Sequence, residues 1–308
     1  MNVLIVGAGA VGALFGSALA RQGARVSVVC RSDFEAVSRE GYHIHSPVFG
    51  DHRFRPAYVY RNVPECREPL DYLLLTSKVL ENVDRAALIR PAVGPGTVIV
   101  LIQNGVDIEP PIAAAFPDNE LLSSLAFVAV GRSAPGQVHH LSLGSLILGR
   151  YPSGVTPAAQ TLAAAFEAGK VPCKLTENVI GARWQKAVWN AVFNPISILG
   201  GVLDTNAMLR TDAEVAFVRS AMQEVCDVAQ AAGYPQSPNL VEQMLATTRA
   251  MPAYKSSMAL DYENRRPMEI EAILGNTVRA ARKVGVATPK LDAMYALAKM
   301  VAGKRESG

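Results

Sequence analysis

The chain begins with an apolar run that leads directly into a Gly-x-Gly-x-x-Gly sequence from Gly7 to Gly12. The apolar run is typical of a buried strand, and the small apolar residues after Gly12 are typical of a helix. In that context Gly7 permits a tight turn, Gly9 lets the backbone approach a pyrophosphate, and Gly12 allows close packing of helix on strand. The N–H groups at the helix start would bind the pyrophosphate. The residues predicted to form this dinucleotide site are Gly7, Gly9, Ala10, Val11 and Gly12.

The end of the second predicted strand distinguishes between the two nicotinamide dinucleotides. The largely apolar residues 26–30 run into Arg31. A site for NAD usually has Asp or Glu at this point, whereas a guanidinium binds a 2′-phosphate with a bidentate fork. Arg31 therefore predicts NADPH as the cofactor. Asp33 lies close by, and a solvated arginine at a strand end is the alternative interpretation of Arg31.

Length and composition favour a two-domain enzyme. A chain of 308 residues is long for one hydrophobic core, and its 50% hydrophobic and 19% charged residues fit a well-packed soluble protein. A net charge of +3 is too small to indicate a nucleic-acid partner. The uncharged stretch 2–20 lacks the basic region of a signal peptide and contains the glycine motif. We therefore expect a cytoplasmic protein that does not associate with a membrane.

The cysteines and histidines predict neither disulfides nor a metal site. The four cysteines are far apart in the sequence and form no C-x-x-C pair, which favours reduced thiols. His43 and His45 form one pair, and His139 and His140 form another, but neither pair has a convincing set of further ligands. No metal is therefore expected.

Strand-like and helix-like segments alternate in the first half of the chain, which predicts a parallel, doubly wound sheet of the Rossmann type. The later strand candidates are residues 71–76, 97–102, 121–130, 145–148 and 171–175, with a helix over 158–168. From about residue 178 the sequence instead predicts amphipathic helices over 181–191, 212–232, 239–248 and 268–284, with Gly233, Gly285 and Pro289 as stops. The predicted fold is thus α/β, with a Rossmann-type cofactor domain (1–176) and an all-α substrate domain (177–308).

Polar residues follow two of the predicted strands. Lys78 comes shortly after the strand at 71–76, and Asn104 follows the strand at 97–102. Ligands of open α/β sheets bind beyond the carboxyl ends of the strands, so both side chains are candidates to contact a cofactor or substrate. An ordinary Asn-Gly turn and a solvated lysine at a helix start are the alternatives.

A polar stripe lies on the first helix of the predicted second domain. Lys186, Asn190 and Asn194 are spaced i, i+4 and i+8, which places them on one helical face. The rest of this helix is largely apolar, so the helix is expected to be buried and its polar side chains need partners. Either the neighbouring backbone or a polar substrate could supply them. Desolvation would lower the lysine pKa toward a value that suits proton donation.

Two further candidates lie near the end of the chain. Ser257 belongs to a Ser-Ser pair that precedes a helical stretch, and Glu269 lies near the start of the next predicted helix. Without further context these residues would be an N-cap and an ordinary first-turn carboxylate.

Taken in order, these motifs resemble the ketopantoate reductase (2-dehydropantoate 2-reductase) family over nearly the whole chain. The matching pieces are Gly7–Gly12, Arg31, Lys78, Gln103-Asn104-Gly105, Pro135–His139, the Lys186, Asn190 and Asn194-Pro195 stripe, Ser256–Met258, Asp261 and Glu269. The resemblance implies that Lys186 is the general acid and that Glu269 assists catalysis. It also implies that cofactor or substrate is held by Asn104, Asn190, Asn194 and Ser257.

The reaction that this resemblance implies is the reduction of ketopantoate to pantoate by NADPH, with Lys186 supplying the proton. Two departures from the family pattern, Tyr254-Lys255 before the Ser-Ser pair and Gly275-Asn276 after Glu269, leave the identity of the substrate open. A paralogue that acts on another 2-oxo or D-2-hydroxy acid is the main alternative. A 3-hydroxyacyl or 6-phosphogluconate type of dehydrogenase fits less well, and a non-enzymatic NADPH sensor would not need the polar stripe. Apolar helical faces leave a homodimer open.

Overall fold

The computed structural model describes residues 1–306, which group into two compact units. The sheet unit comprises Met1–Lys78, Val83–Gln103 and Glu109–Val179. The helical unit comprises Val79–Asn82, Asn104–Ile108 and the described chain from Ile180 onward. Two short segments from the first half of the sequence therefore belong to the helical unit. The division at residues 176 and 177 into a cofactor domain and a substrate domain stays a prediction.

One mixed sheet of ten strands forms the centre of the sheet unit. The strands are β1 (Asn2–Val6), β2 (Arg25–Val29), β3 (Tyr42–His45), β4 (His52–Phe54), β5 (Val59–Tyr60), β6 (Tyr72–Leu75), β7 (Val98–Ile102), β8 (Leu121–Ala134), β9 (Gln137–Arg150) and β10 (Cys173–Leu175). Their spatial order is β4-β3-β9-β8-β7-β6-β1-β2-β5, and β10 pairs with β9. Strands β8, β7, β6, β1 and β2 pair in parallel, which confirms the predicted Rossmann-type fold.

The sheet unit also contains α-helices. They are α1 (Ala10–Ala20), α2 (Phe34–Glu40), α3 (Arg85–Ile89), α4 (Pro110–Ala115) and α5 (Pro157–Ala168). Of these, α1 and α5 pack on the sheet through apolar side chains. A Cβ atom at Gly12 or Gly16 would lie 2.9 or 2.3 Å from the side chain of Ile5, so these glycines let α1 approach β1 closely. Phe15 of α1 and Phe166 of α5 meet edge to face with ring centroids 6.1 Å apart.

Two strand pairs differ from the expected parallel arrangement. Strands β8 and β9 form a long antiparallel hairpin, and β3 pairs antiparallel with β4. The hairpin turn is Pro135-Gly136, and Gly136 has a φ of +73° that favours glycine. Because two residues are too few for a helical crossover, these strands must be antiparallel. Both strands also extend beyond the predicted residues 121–130 and 145–148.

The helical unit is built from the helices of the second half of the chain. They are α6 (Val179–Leu199), α7 (Asp212–Ala231), α8 (Leu240–Ala250), α9 (Ser257–Glu263), α10 (Asn276–Val284) and α11 (Pro289–Glu306). A π-helical turn, Glu271–Gly275, precedes α10 and interrupts the predicted helix over 268–284. The interpretation of Pro289 as a stop is wrong, because α11 begins at this residue, where a proline needs no N–H donor. None of the helices within residues 1–306 is both long and apolar enough to cross a membrane.

Candidate active site

The glycine loop between β1 and α1 has the geometry of an anion cradle. Gly7 has a φ of +89°, and a Cβ atom there would lie 2.5 Å from the backbone nitrogen of Ser77. A Cβ at Gly9 would meet no protein atom closer than 3.9 Å, so the space beside Gly9 is open to a ligand. Gly9 supplies no side-chain cap, and the N–H groups of the first turn, Ala10–Gly12, have no acceptor within the helix. These features fit the pyrophosphate of a dinucleotide.

Arg31 and Asp33, which follow β2, lie in different environments. Asp33 is buried, forms an ion pair with Arg132, and accepts hydrogen bonds from the Ser32 hydroxyl at 2.8 Å and the Gly136 N–H at 3.2 Å. These contacts tie Asp33 to the β8–β9 hairpin. Arg31 is exposed. The Asp33 carboxylate is therefore engaged by Arg132, and the exposed Arg31 guanidinium remains available to a 2′-phosphate.

The carboxyl ends of β6 and β7 lie side by side, because the two strands pair in parallel. The Gln103 side chain after β7 donates to the backbone oxygen of Ser77 after β6, and it accepts from Arg85 at 2.8 Å. Ser77 also lies against Gly7. Lys78 is half-buried and is the next residue, so it follows directly on the segment that contacts the glycine loop.

Within the helical unit, Lys186 is paired with Asn104. The Lys186 ammonium on α6 donates to the Asn104 Oδ1 atom at 2.9 Å. Desolvation, reinforced by the charge of Arg183, lowers the pKa of Lys186 to about 8, although the Glu269 carboxylate acts in the opposite direction. The site therefore holds a desolvated ammonium group with a proton that can be lost close to neutral pH.

The loop that carries Asn104 is fixed by backbone contacts. Gly105 has a φ of +108°, and a Cβ there would lie 2.5 Å from the backbone oxygen of Ala272. Arg183, which is 2% exposed, donates to the Gly105 oxygen at 3.1 Å. The Val106 N–H donates to the Ala272 oxygen at 3.2 Å. The Asn-Gly pair is therefore a closely packed connection rather than an ordinary exposed turn.

Glu269 is held by the other short segment of the helical unit. The backbone N–H of Val79 donates to Glu269 Oε1 at 2.9 Å. Glu269 is half-buried, and its charge raises the pKa of Lys186, so the two groups interact electrostatically. The structure thus brings together three of the predicted residues: Lys186, Asn104 and Glu269.

The two remaining stripe residues, both asparagines, differ in burial. Asn194 is 1% exposed, and neither atom of its side-chain amide has a hydrogen-bond partner. Asn190, one turn earlier on α6, is half-buried. A buried amide without a partner is costly, so Asn194 is a strong candidate to bind a ligand.

The two residues of the Ser-Ser pair, Ser256 and Ser257, differ in burial and in hydrogen bonding. Ser256 is the N-cap of α9 and accepts from the Ala259 N–H at 3.1 Å. Its hydroxyl also lies 2.8 Å from that of Ser197, which donates to the backbone oxygen of Asn194 at 2.6 Å. Ser257 is exposed and is not the cap. The start of α9 is therefore joined to the end of the polar stripe, and Ser257 stays a candidate for substrate contact.

Sequence reasoning missed two partners of this site. Arg183 lies three residues before Lys186, and that spacing could have indicated a second cation on the same helical face. Val79 contributes only its backbone N–H to Glu269, and no side-chain pattern predicts such a contact.

The histidines form no metal centre in the part of the chain that the structure describes. His45 stacks on His139 with ring centroids 4.8 Å apart and lies near Asp51 and Gln137. Residues 1–306 contain no group of three or more His, Cys, Asp or Glu side chains placed to hold a metal ion. The four cysteines are free thiols.

Family models match both halves of the chain. The model described as "Ketopantoate reductase PanE/ApbA" matches residues 3–153. The model described as "Ketopantoate reductase PanE/ApbA C terminal" matches residues 178–302. Together the two matches cover nearly the whole chain.

Individual relatives agree with these matches. A 2-dehydropantoate 2-reductase from Nostoc sp. is 30% identical, with 99% of this chain and 96% of that protein aligned. The crystal structure of 2-dehydropantoate 2-reductase from Methylococcus capsulatus is 50% identical, with a TM-score of 0.93 and 99% and 98% of the two chains covered. The corresponding structure from Geobacter metallireducens is 35% identical, with a TM-score of 0.92 and 97% and 99% covered. This chain belongs to the ketopantoate reductase family of oxidoreductases.

Proposed function

We propose that this protein reduces ketopantoate to pantoate with NADPH. The observation that carries the proposal is the desolvated ammonium of Lys186, which donates to Asn104 and has a pKa lowered to about 8. A carbonyl reduction needs a proton donor at the oxygen that becomes a hydroxyl, and a group with a pKa near the working pH suits that task.

Lys186 acts on the carbonyl oxygen in this mechanism. Its ammonium donates a hydrogen bond to the oxygen as negative charge develops there, and then transfers the proton to complete the alcohol. Lys186 is left neutral and takes up a proton from solvent before the next turnover. The chemistry that a bound NADPH supplies is a hydride for the carbonyl carbon.

Asn104 and Glu269 orient and tune Lys186. Asn104 accepts a hydrogen bond from one of the three ammonium N–H groups, which fixes the direction of the others. The Glu269 carboxylate opposes the effect of desolvation and so keeps a larger fraction of Lys186 protonated at neutral pH. Glu269 is also suited to accept a hydrogen bond from a substrate hydroxyl.

The polar groups beyond Lys186 on α6 and at the start of α9 bind the substrate in this proposal. We assign Asn190, Asn194 and Ser257 to the carboxylate and hydroxyl of the oxo acid. The unpartnered amide of Asn194 supports this assignment, because a polar substrate would satisfy both of its atoms.

The glycine loop and Arg31 support NADPH as the cofactor. Gly7–Gly12 fits a pyrophosphate at the start of α1. Arg31 would bind the 2′-phosphate, since Asp33 is engaged by Arg132. Lys78 and Asn104 complete the set of residues that we assign to the cofactor.

The proposed substrate is tested by measuring NADPH oxidation with ketopantoate and with a panel of other 2-oxo acids. We expect the highest kcat/KM for ketopantoate. A higher kcat/KM for another oxo acid would assign the protein to a paralogue with that substrate. No oxidation with any member of the panel would contradict the proposal.

Replacing the proton donor should abolish most of the activity. We expect Lys186→Ala to lower kcat with saturating ketopantoate by roughly a hundredfold or more, the range for losing a general acid. Lys283→Ala, which removes an exposed lysine from α10, is the matched control and should leave kcat unchanged. Turnover by Lys186→Ala close to that of the wild type would exclude Lys186 as the donor.

The role of Arg31 is tested through the ratio of kcat/KM for NADPH to that for NADH. Arg31→Asp should lower this ratio by about tenfold or more, because it replaces a charge-assisted hydrogen bond with repulsion of the 2′-phosphate. Arg39→Asp, at an exposed arginine of α2, should leave the ratio unaltered. An unaltered ratio in Arg31→Asp would remove Arg31 from the phosphate site.

A further inference from the structure

The two short segments of the helical unit supply the partners of both proposed catalytic residues. Segment 79–82 holds Glu269 through the Val79 N–H, and segment 104–108 provides Asn104 for Lys186. Each segment is also attached to the helices by a chain of polar contacts outside the site. Both of these chains lead to one carboxylate, that of Glu271.

Glu271 is a mostly buried carboxylate in the π-helical turn, and it accepts hydrogen bonds from three side chains. Tyr295 donates at 2.8 and 2.9 Å to its two oxygens, Arg279 at 2.8 Å, and Lys299 at 2.8 Å. Burial alone would raise the pKa of Glu271, but these contacts outweigh it and hold the pKa below the usual range. A Cβ at Gly275 would lie 2.6 Å from a Glu271 oxygen, so the glycine leaves room for the carboxylate.

The first chain of contacts runs through Lys299 on α11. Its ammonium lies 2.8 Å from Glu271 and 3.1 Å from Glu81, so it bridges the two carboxylates. Glu81 is two residues after Val79, whose N–H donates to Glu269. Lys299 therefore holds the segment that positions Glu269.

The second chain runs through Arg279 on α10. Arg279 donates to Glu271 and, at 2.6 Å, to the side-chain oxygen of Asn276. The Asn276 Nδ2 group donates at 2.7 Å to the backbone oxygen of Val106. Val106 is two residues after Asn104, so this chain holds the loop that supplies the partner of Lys186.

We propose that Glu271 is a positioning residue that fixes Glu269 through Lys299 and Asn104 through Arg279. The proposal rests on the proposed function, because it gives Glu269 and Asn104 their roles around Lys186. Lys299 and Glu81 are 46% and 70% exposed, and ion pairs of that exposure add little to the global stability of a protein. Their effect is on geometry, and small displacements of catalytic groups are costly to rate.

The test is a double-mutant cycle between Lys299→Met and Glu269→Gln, with kcat for ketopantoate as the readout. Lys299→Met should lower kcat by about tenfold, with a smaller change in KM and an unaltered Kd for NADPH. Lys299→Arg should restore most of the activity, since it keeps the charge. In the Glu269→Gln background Lys299→Met should have almost no further effect, because the residue acts through Glu269.

Hydrogen–deuterium exchange provides a readout that does not need activity. Glu271→Gln should speed exchange in both residues 79–82 and residues 104–108, whereas Lys299→Met should speed it only in 79–82 and Arg279→Met only in 104–108. Unaltered exchange in Glu271→Gln would overturn the role of Glu271. Glu242→Gln breaks the exposed Arg219–Glu242 pair on the same unit and should change neither exchange in these segments nor kcat.

The outcomes separate this proposal from the proposed function. If the wild type reduces no oxo acid but Lys299→Met still speeds exchange in residues 79–82, the positioning role is supported and the proposed activity is contradicted. An active wild type in which Lys299→Met changes neither kcat nor exchange would overturn the positioning role. If the effects of Lys299→Met and Glu269→Gln on kcat multiply in the double variant, Lys299 does not act through Glu269, and the positioning role is also overturned.

Discussion

The desolvation of one ammonium group, that of Lys186, explains why distant parts of the helical unit converge on it. A desolvated cation is costly unless it is hydrogen-bonded and electrostatically compensated. Lys186 donates a hydrogen bond to Asn104 and is stabilised by the charge of Glu269, and neither residue is close to it in sequence. Asn104 comes from one of the two first-half segments that belong to the helical unit, and Val79 of the other segment donates to Glu269. The positive φ of Gly105 accommodates the close packing of the Asn104 loop on Ala272.

The same arrangement sets the acidity of the lysine. Desolvation and Arg183 lower its pKa, while Glu269 raises it, and the balance is a value of about 8. With an ordinary pKa near 10.5, Lys186 would be a weaker proton donor at neutral pH. Without Glu269 it would be neutral over more of the physiological range. With this pKa, Lys186 is largely protonated at neutral pH and still releases its proton more readily than an ordinary lysine.

Local sequence patterns predicted the features that arise from local interactions. The strand, glycine turn and helix at Gly7–Gly12 follow from apolar spacing and backbone freedom, and the polar stripe at Lys186 follows from the helical period. The comparisons confirm the family and the fold class that these motifs indicated.

Those patterns could not predict contacts between residues that are distant in the sequence. Lys186 and Asn104 are 82 residues apart, and Val79 and Glu269 are 190 residues apart. The π-helical turn was also missed, since the apolar spacing over 268–284 is that of a continuous helix. The interpretation of Pro289 as a stop failed because the effect of a proline depends on its position. Proline breaks a helix at interior positions, but it is favoured at the first position, where α11 places it.

The pH dependence of kcat/KM for ketopantoate tests the role of Lys186 most directly, because it reports the pKa of groups in the free enzyme. A proton donor with a pKa of about 8 must be protonated to act. We predict that kcat/KM falls about tenfold per pH unit above that value. In Glu269→Gln the fall should begin at a lower pH, because the carboxylate that raises the pKa is gone. A kcat/KM that stays constant up to the ordinary range of lysine would contradict a desolvated Lys186 as the proton donor.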